Sequence, residues 1–396
     1  MPPVSFSTSA RLTSLLAAAA LLVAVASCQK KVEAPGNDLA ALPLVASAPA
    51  SNVSSPEKIA LGRALFWDPV LSGGKDVSCA SCHHPATGYA DAIELSIGTN
   101  GQGQGTTRRF RAPNDIAFVK RNSPTVLNSA FNGLTAAAAA DPATAPMFWD
   151  NRAQSLETQS LMPVATLEEM RGHQYTEGVA LDSVVARLRR IPAYAGLFSA
   201  AFTETAPVTA ANVGKAIACF ERTLVATDSR FDQYMRGNQA AMSTQEVQGL
   251  NNFVTSGCAK CHSGPMLSDY QLHILGVADN AKNATSDAGA NGTYAFRTPS
   301  LRNVALTAPY MHSGTIRDLA GVLNFYDPGR GPAPSANPHV PVSQRDPLFP
   351  GRVTDAPAII AFLGTLTATS FDRNVPTTVP SVLPVGGNIR GGRFSD

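Results

Sequence analysis

The apolar positions of this chain recur at helical spacing far more often than they alternate. From Thr209 a stripe runs through Val213, Ile217, Phe220 and Leu224, at steps of four and three residues, which predicts a helix with one buried face. Ser55 ahead of Pro56 has the order of an N-cap and a first helical residue, and opens a helix through Ile59 and Leu65 toward Trp67. Ser243 and Glu246 form a capping box before Leu250 and Phe253. Asp318 begins a helix through Leu319, Leu323 and Tyr326, and Asp355 another through Ile359, Ile360 and Leu363. Strand signals are few and short. Long loops separate the helices at 97–107, 134–145, 278–293 and 327–352. The expected class is mainly α with long loops.

One apolar run is of another kind. Leu15 to Val25 follows Arg11 and ends at Val25-Ala26-Ser27-Cys28. It is too short to span a bilayer and fits the core of a signal peptide, residues 1–27. Cys28 after small residues resembles a bacterial lipobox. That likeness implies an exported protein with lipid on Cys28, and Gln29 in place of Asp favours the outer membrane. An ordinary secretory signal is the alternative. Residues 28–51, rich in Ala, Pro, Ser and Val, read as a flexible tether to a body that starts near residue 52.

The chain has 396 residues, 44% of them hydrophobic, enough for two packed domains. The net charge of +2 and the lack of a long basic run argue against a nucleic-acid partner. Of six cysteines, four fall in two C-x-x-C pairs and Cys28 is the lipid candidate. Cys219 is left alone on the striped helix, as a small buried apolar residue. A disulfide framework is therefore not expected.

The pairs carry the chemistry. Each is followed at once by histidine, in Cys79-Ala80-Ser81-Cys82-His83 and Cys258-Ala259-Lys260-Cys261-His262. Two thiols at this spacing reach the two vinyl groups of one porphyrin, and the next His projects to the iron. Two c-type hemes follow. Zinc knuckles would also use four cysteines, but the pairs lie far apart and the paired histidines would go unexplained. A helix precedes each motif, a weak internal repeat that points to two related domains.

With two such motifs the chain resembles the bacterial diheme cytochrome c peroxidase and MauG family. The likeness is carried by Leu65-Phe66-Trp67-Asp68, Arg121-Asn122-Ser123-Pro124-Thr125, Phe148-Trp149-Asp150-Asn151-Arg152, Gln159 with Glu169-Met170, Phe220-Glu221-Arg222-Thr223-Leu224, and Arg297 through Asn303 on to Pro309-Tyr310-Met311-His312. It implies two cytochrome-c-like domains, at 52–225 and 226–370, with a tail, 371–396, packed on the first. It also implies hydrogen peroxide as oxidant at the heme of His83, with Glu169 over the open iron face as the acid-base group. Gln159 and Pro163 match distal positions, and Trp149 the aromatic residue between the hemes. Asn122, Thr307 and Pro309 match ligands of a calcium ion. Arg222 and Arg302 are candidates for the heme propionates. The partner is a small redox protein or a protein substrate, on the periplasmic side of the envelope.

Two positions depart from the conventional peroxidase. No His lies between His84 and Asn122, where that group often has an iron-capping His, so the first heme is expected open at rest. Fourteen residues after His312 stands Tyr326, where the conventional enzymes have Met and MauG-type enzymes have Tyr. A phenolate stabilises oxidised iron and a thioether reduced iron. The resemblance thus points to the MauG-like branch, with Tyr326 on the second heme; Met311 is the alternative ligand. His173, His273 and His339 are expected to be structural or exposed, and His312 to lie near the second heme or the domain contact.

Overall fold

Two helix crossings organise the chain, one in each half. The structure, a computed structural model, describes residues 1–3, 39–135, 138–330, 336–349 and 351–389. Residues from Ala34 on form one unit; Met1–Glu33 form another, of which only residues 1–3 are described. The expected signal segment and Cys28 lie outside the described residues.

In the first half, Ser55 accepts a hydrogen bond from the Lys58 N–H and starts α1 (Pro56–Trp67). A long ordered loop follows the first motif. Then come α2 (Leu156–Gln159), α3 (Met162–Ala165), a single π-helical turn (Leu167–Arg171), α4 (Glu177–Arg189), α5 (Pro192–Ala201) and α6 (Ala210–Glu221). Their core joins Leu61, Leu65, Val184, Leu188, Phe198, Val213 and Ile217. The second half has α7 (Arg230–Met235), α8 (Thr244–Thr255), α9 (Leu319–Tyr326) and α10 (Ala356–Thr365). Thr209, Ser243, Asp318 and Asp355 cap α6, α8, α9 and α10, each accepting from an N–H of the first turn. Three pairs of two-residue strands complete the described structure. No described helix is long and apolar enough to cross a membrane.

The internal repeat becomes concrete at these crossings. α1 meets α6 where a Cβ on Gly62 would overlap the Ala216 carbonyl and sit 2.9 Å from Phe220 Cβ. α8 meets α10 where a Cβ on Gly249 would overlap the Ala358 carbonyl and sit 2.9 Å from Phe362 Cβ. Glycine, a carbonyl, and a Phe four residues beyond it recur in both halves. Backbone carbonyl cannot move aside as a side chain can. Gly249→Ala is therefore expected to destabilise the protein by about 1–3 kcal/mol or more through overpacking. Denaturant unfolding of Gly249→Ala beside the exposed Gly178→Ala, where a Cβ meets nothing within 4 Å, checks this.

The tether reading is corrected for residues 39–51. Leu39 and Leu42 are buried among residues of the second half and its junction with the first. The Leu42 N–H donates to Asp232 (2.8 Å), and Arg302 and Arg236 donate to the carbonyls of Ala40 (2.9 Å) and Leu42 (2.7 Å). Asn52 then donates to Glu157 and to the Lys215 carbonyl in the first half. The segment has no helical period because its backbone is fixed by distant side chains instead of by its own turns. Residues 371–389 return to the first half. Gly386 N–H donates to the Trp67 carbonyl (2.8 Å), Ser81 Oγ to the Gly386 carbonyl (2.9 Å) and Tyr89 OH to the Asp372 carbonyl (2.8 Å).

Candidate active site

Each motif opens with a 3-10 turn, Cys79–Ser81 and Cys258–Lys260, and both line one continuous cavity of about 690 Å³. His83 Nδ1 lies 3.1 Å from the Tyr89 carbonyl and 3.3 Å from Ser123 Oγ; His262 Nδ1 lies 3.0 Å from the Leu267 carbonyl. An Nδ1–H given to a carbonyl fixes the tautomer whose Nε2 lone pair is free, as an iron ligand requires. Burial lowers the pKa of both rings and keeps them neutral. None of the five described cysteines is paired in a disulfide. Among the described residues the four motif thiols do not come together as one metal group. The donors fit one c-type heme at each motif.

The first-motif side of the cavity is lined by Gln159, Pro163, Thr166, Glu168 and Glu169. Gln159 closes α2 and Pro163 lies in α3. Glu169 sits on the π turn, a rare geometry frequent at functional sites. Burial raises its pKa to about 7, with Arg152 opposing and Glu168 assisting. The loop after the first motif holds this turn. The Thr99 N–H donates to the Glu168 carbonyl (3.3 Å), and a Cβ on Gly98 would overlap the carbonyls of Glu168 and Glu169. The loop that lacks a histidine is thus pressed against the backbone of the acidic turn. His84 is turned elsewhere: its Nδ1 accepts from the Ala86 N–H (3.1 Å) and its ring meets Trp67 edge-on at 5.5 Å.

Trp149 lines the cavity and is tied to both halves. Its Nε1–H donates to the Asn122 carbonyl (2.9 Å), and its own carbonyl accepts from the Arg297 N–H (2.7 Å). Asn122 N–H in turn donates to the His312 carbonyl (2.8 Å). The buried His312 ring stacks on Phe296 at 3.5 Å and meets Trp149 edge-on at 6.5 Å. It therefore belongs to the contact between the halves.

On the second-motif side, Tyr326 ends α9 and its ring packs between Phe325 and Phe349. Burial first, then the nearby Cys258 and Cys261, raise its pKa. Met311 lines the same cavity and belongs to the same apolar cluster. His273 is neither a bland core residue nor exposed. It lines the cavity, with Nδ1 2.6 Å from Asp346 and Nε2 3.0 Å from Asp269. Asp269 above all, with Cys261 and Asp346, raises its pKa to about 11. Asp346 lies 73 residues away, and only the fold brings it close. His173 is exposed beside Asp115, and His339 stacks on Tyr294.

Both arginines expected at propionates have protein partners. Arg302 ion-pairs with Asp232 (2.9 Å), donates to the Pro265 and Ala40 carbonyls, and lines the cavity. Arg222 ion-pairs with Glu157 at 2.8 Å and is absent from the cavity wall. Their sequence positions gave no sign of Asp232 and Glu157. Cys219 is buried with Sγ 3.5 Å from Asn52 Oδ1.

Comparison with known proteins accords with this site. The family model for the di-haem cytochrome c peroxidase, CCP_MauG, matches residues 56–240. The methylamine utilization protein MauG of Methylorubrum extorquens is 35% identical over 76% of this chain and 79% of its own length. The cytochrome c551 peroxidase of Pseudomonas aeruginosa is 35% identical over 67% of this chain and 70% of its own. The solved structure of a MauG-like protein associated with microbial copper homeostasis superposes with a TM-score of 0.65 at 28% identity, covering 83% of this chain and 95% of that one. The mainly helical fold, the two histidine-tailed cysteine pairs and the acid-lined cavity between them thus have a common explanation: the chain belongs to the diheme cytochrome c peroxidase family, and it is a diheme peroxidase.

Proposed function

We propose that the enzyme is a MauG-like oxidase: peroxide reacts on the His83 side, and the oxidising equivalents leave through the second half to an external donor or partner protein. The observation that carries this reading is Glu169, a buried carboxyl near neutrality on a π turn in the wall that also holds His83. A heme on each motif supplies the redox chemistry when bound. The chain's own residues do the rest. His83 and His262 offer neutral Nε2 donors. Glu169 takes the proton from the near oxygen of peroxide and returns it to the far oxygen as water leaves. Gln159 and Pro163 shape the space beside it. Trp149 provides the aromatic bridge, held from Asn122 on one side and Arg297 on the other. Tyr326 would give a phenolate oxygen to an iron held at the second motif, which would favour its oxidised states.

A calcium ion at Asn122, Thr307 and Pro309 would stiffen the same contact. The three residues line one cavity. Asn122 Nδ2 donates to the Ile93 and Glu94 carbonyls, and among the described residues none donates to its Oδ1. Neutral oxygens of this kind, completed by water, suit calcium. The enzyme would work in the periplasm, lipid-anchored through Cys28. Calcium chelation is expected to slow transfer between the halves and to change the spectrum; equal behaviour before and after chelation removes the ion.

The deciding experiment adds one equivalent of hydrogen peroxide to the fully oxidised protein. A spectral change at both hemes, reversed by an electron donor, supports the MauG-like reading. A response seen only after one-electron reduction gives the second reading, a conventional cytochrome c peroxidase, favoured by the 35% identity to the Pseudomonas enzyme. No response in either state overturns both.

A further inference from the structure

The cavity holds a second buried carboxyl that the chemistry above does not use. Glu221 closes α6, and its side chain is 4% exposed. It lines the cavity with Cys79 and acts electrostatically on that thiol. Among the described residues its Oε2 has no hydrogen-bond partner. The nearest cation does not neutralise it, because Arg222 is paired with Glu157.

The charged surroundings are few. Arg222 follows it on its own chain, Glu157 faces it from α2, and Cys79 from the 3-10 turn. From α1, Arg63 lies over the Phe220 ring and is ion-paired with Asp372 in the tail. Phe66 and Trp67 add apolar bulk beside Phe220. From the 122–132 segment comes Ser129, whose Oγ is also without a partner. A carboxyl so placed holds a proton more readily than a charge. Burial, with Arg222 opposing and Glu157 assisting, raises its pKa to about 8.

Iron that gains an electron loses one unit of positive charge, which disfavours a nearby carboxylate. We infer that Glu221 is a redox-linked proton site: it binds one proton from solvent as an electron reaches the heme held by Cys79 and Cys82, and gives it up as that electron leaves. The O–H bond formed at the carboxylate replaces one broken in hydronium, and the electron comes from the external donor. Reducing peroxide to two waters consumes two electrons and two protons, so a proton stored with an electron is used with it. The inference rests on the diheme peroxidase reading for its cofactor, but not on the MauG-like branch. By linkage, proton binding and electron binding at this site must favour each other.

Potentiometry of the diheme holoprotein from pH 6 to 9 tests this, following the heme of the first motif by its own absorption. The equilibrium constant for its reduction is expected to fall up to tenfold per pH unit, about 59 mV. In Glu221→Gln that slope should vanish, and in Glu169→Gln and Asp91→Asn it should persist. Asp91 needs its own control because burial also places it at about 7. A slope kept in Glu221→Gln, or lost only in Glu169→Gln or Asp91→Asn, overturns the inference. Redox-difference infrared spectra of the unaltered protein add a test that needs no variant. A protonated-carboxyl band gained on reduction supports it; the absence of any such band overturns it. Peroxide response is read separately: Glu221→Gln that loses the slope yet still reacts supports both readings. If Glu221→Gln loses the slope that wild type shows while wild type does not respond to peroxide, only the oxidase is overturned.

Discussion

Glu169→Gln is expected to slow the reaction with hydrogen peroxide by roughly 10²–10⁴-fold, the range of general acid-base catalysis. Gln keeps the volume and can still hydrogen-bond, but it cannot take and return a proton. Both hemes should remain attached, because the substitution leaves both C-x-x-C-H motifs intact. The pH profile sharpens the test. Burial raises the Glu169 pKa to about 7. Below that value the group is protonated and cannot accept the first proton, so the peroxide rate should rise with pH and level off above about 7. In the Gln variant this rise should disappear. Stopped-flow mixing of oxidised protein with peroxide measures both quantities. A variant as fast as wild type, with the same profile, sinks the acid-base role.

The second large effect is expected at Tyr326. Tyr326→Phe removes the oxygen and leaves the second heme without that ligand, so its low-spin spectrum should convert to high-spin. Tyr326→Met should instead keep the heme low-spin and raise its potential by several tenths of a volt, within the roughly 0.8 V span that axial ligands command. The phenol's burial among Phe325 and Phe349 predicts little repacking in the Phe variant, so a spectral change reports ligation and not collapse. If both variants keep the wild-type spectrum, Tyr326 is a packed side chain and Met311 becomes the candidate.

What the sequence made legible was the chemistry whose partners are neighbours. A thioether pair and its histidine fit within five residues, so both heme sites could be read directly. Helix starts were equally local: Ser55, Thr209, Ser243, Asp318 and Asp355 cap helices as their positions imply. Features made by distant partners were not. Gly62 and Gly249 look like weak points in helices until Ala216 and Ala358 are laid across them. His273 gives no sign of Asp346, nor Arg302 of Asp232. Residues 39–51 carry the composition of a linker, yet they are fixed by charges nearly 200 residues away. The distal loop shows the same limit. Its missing histidine was visible, but its grip on the Glu169 turn through Gly98 was not.

The returning tail bears on the order in which the molecule can be made. Residues 371–389 lie some 300 residues beyond the first motif in sequence, yet they lie across it, with Gly386 bonded to Ser81 and Trp67. An enzyme that joins a porphyrin to Cys79 and Cys82 needs those thiols within reach. Cofactor insertion in the first half must then run ahead of the docking of this segment. A polypeptide that finished folding empty would have closed the door on its own maturation, and delay in the heme supply would leave behind a sealed, colourless product.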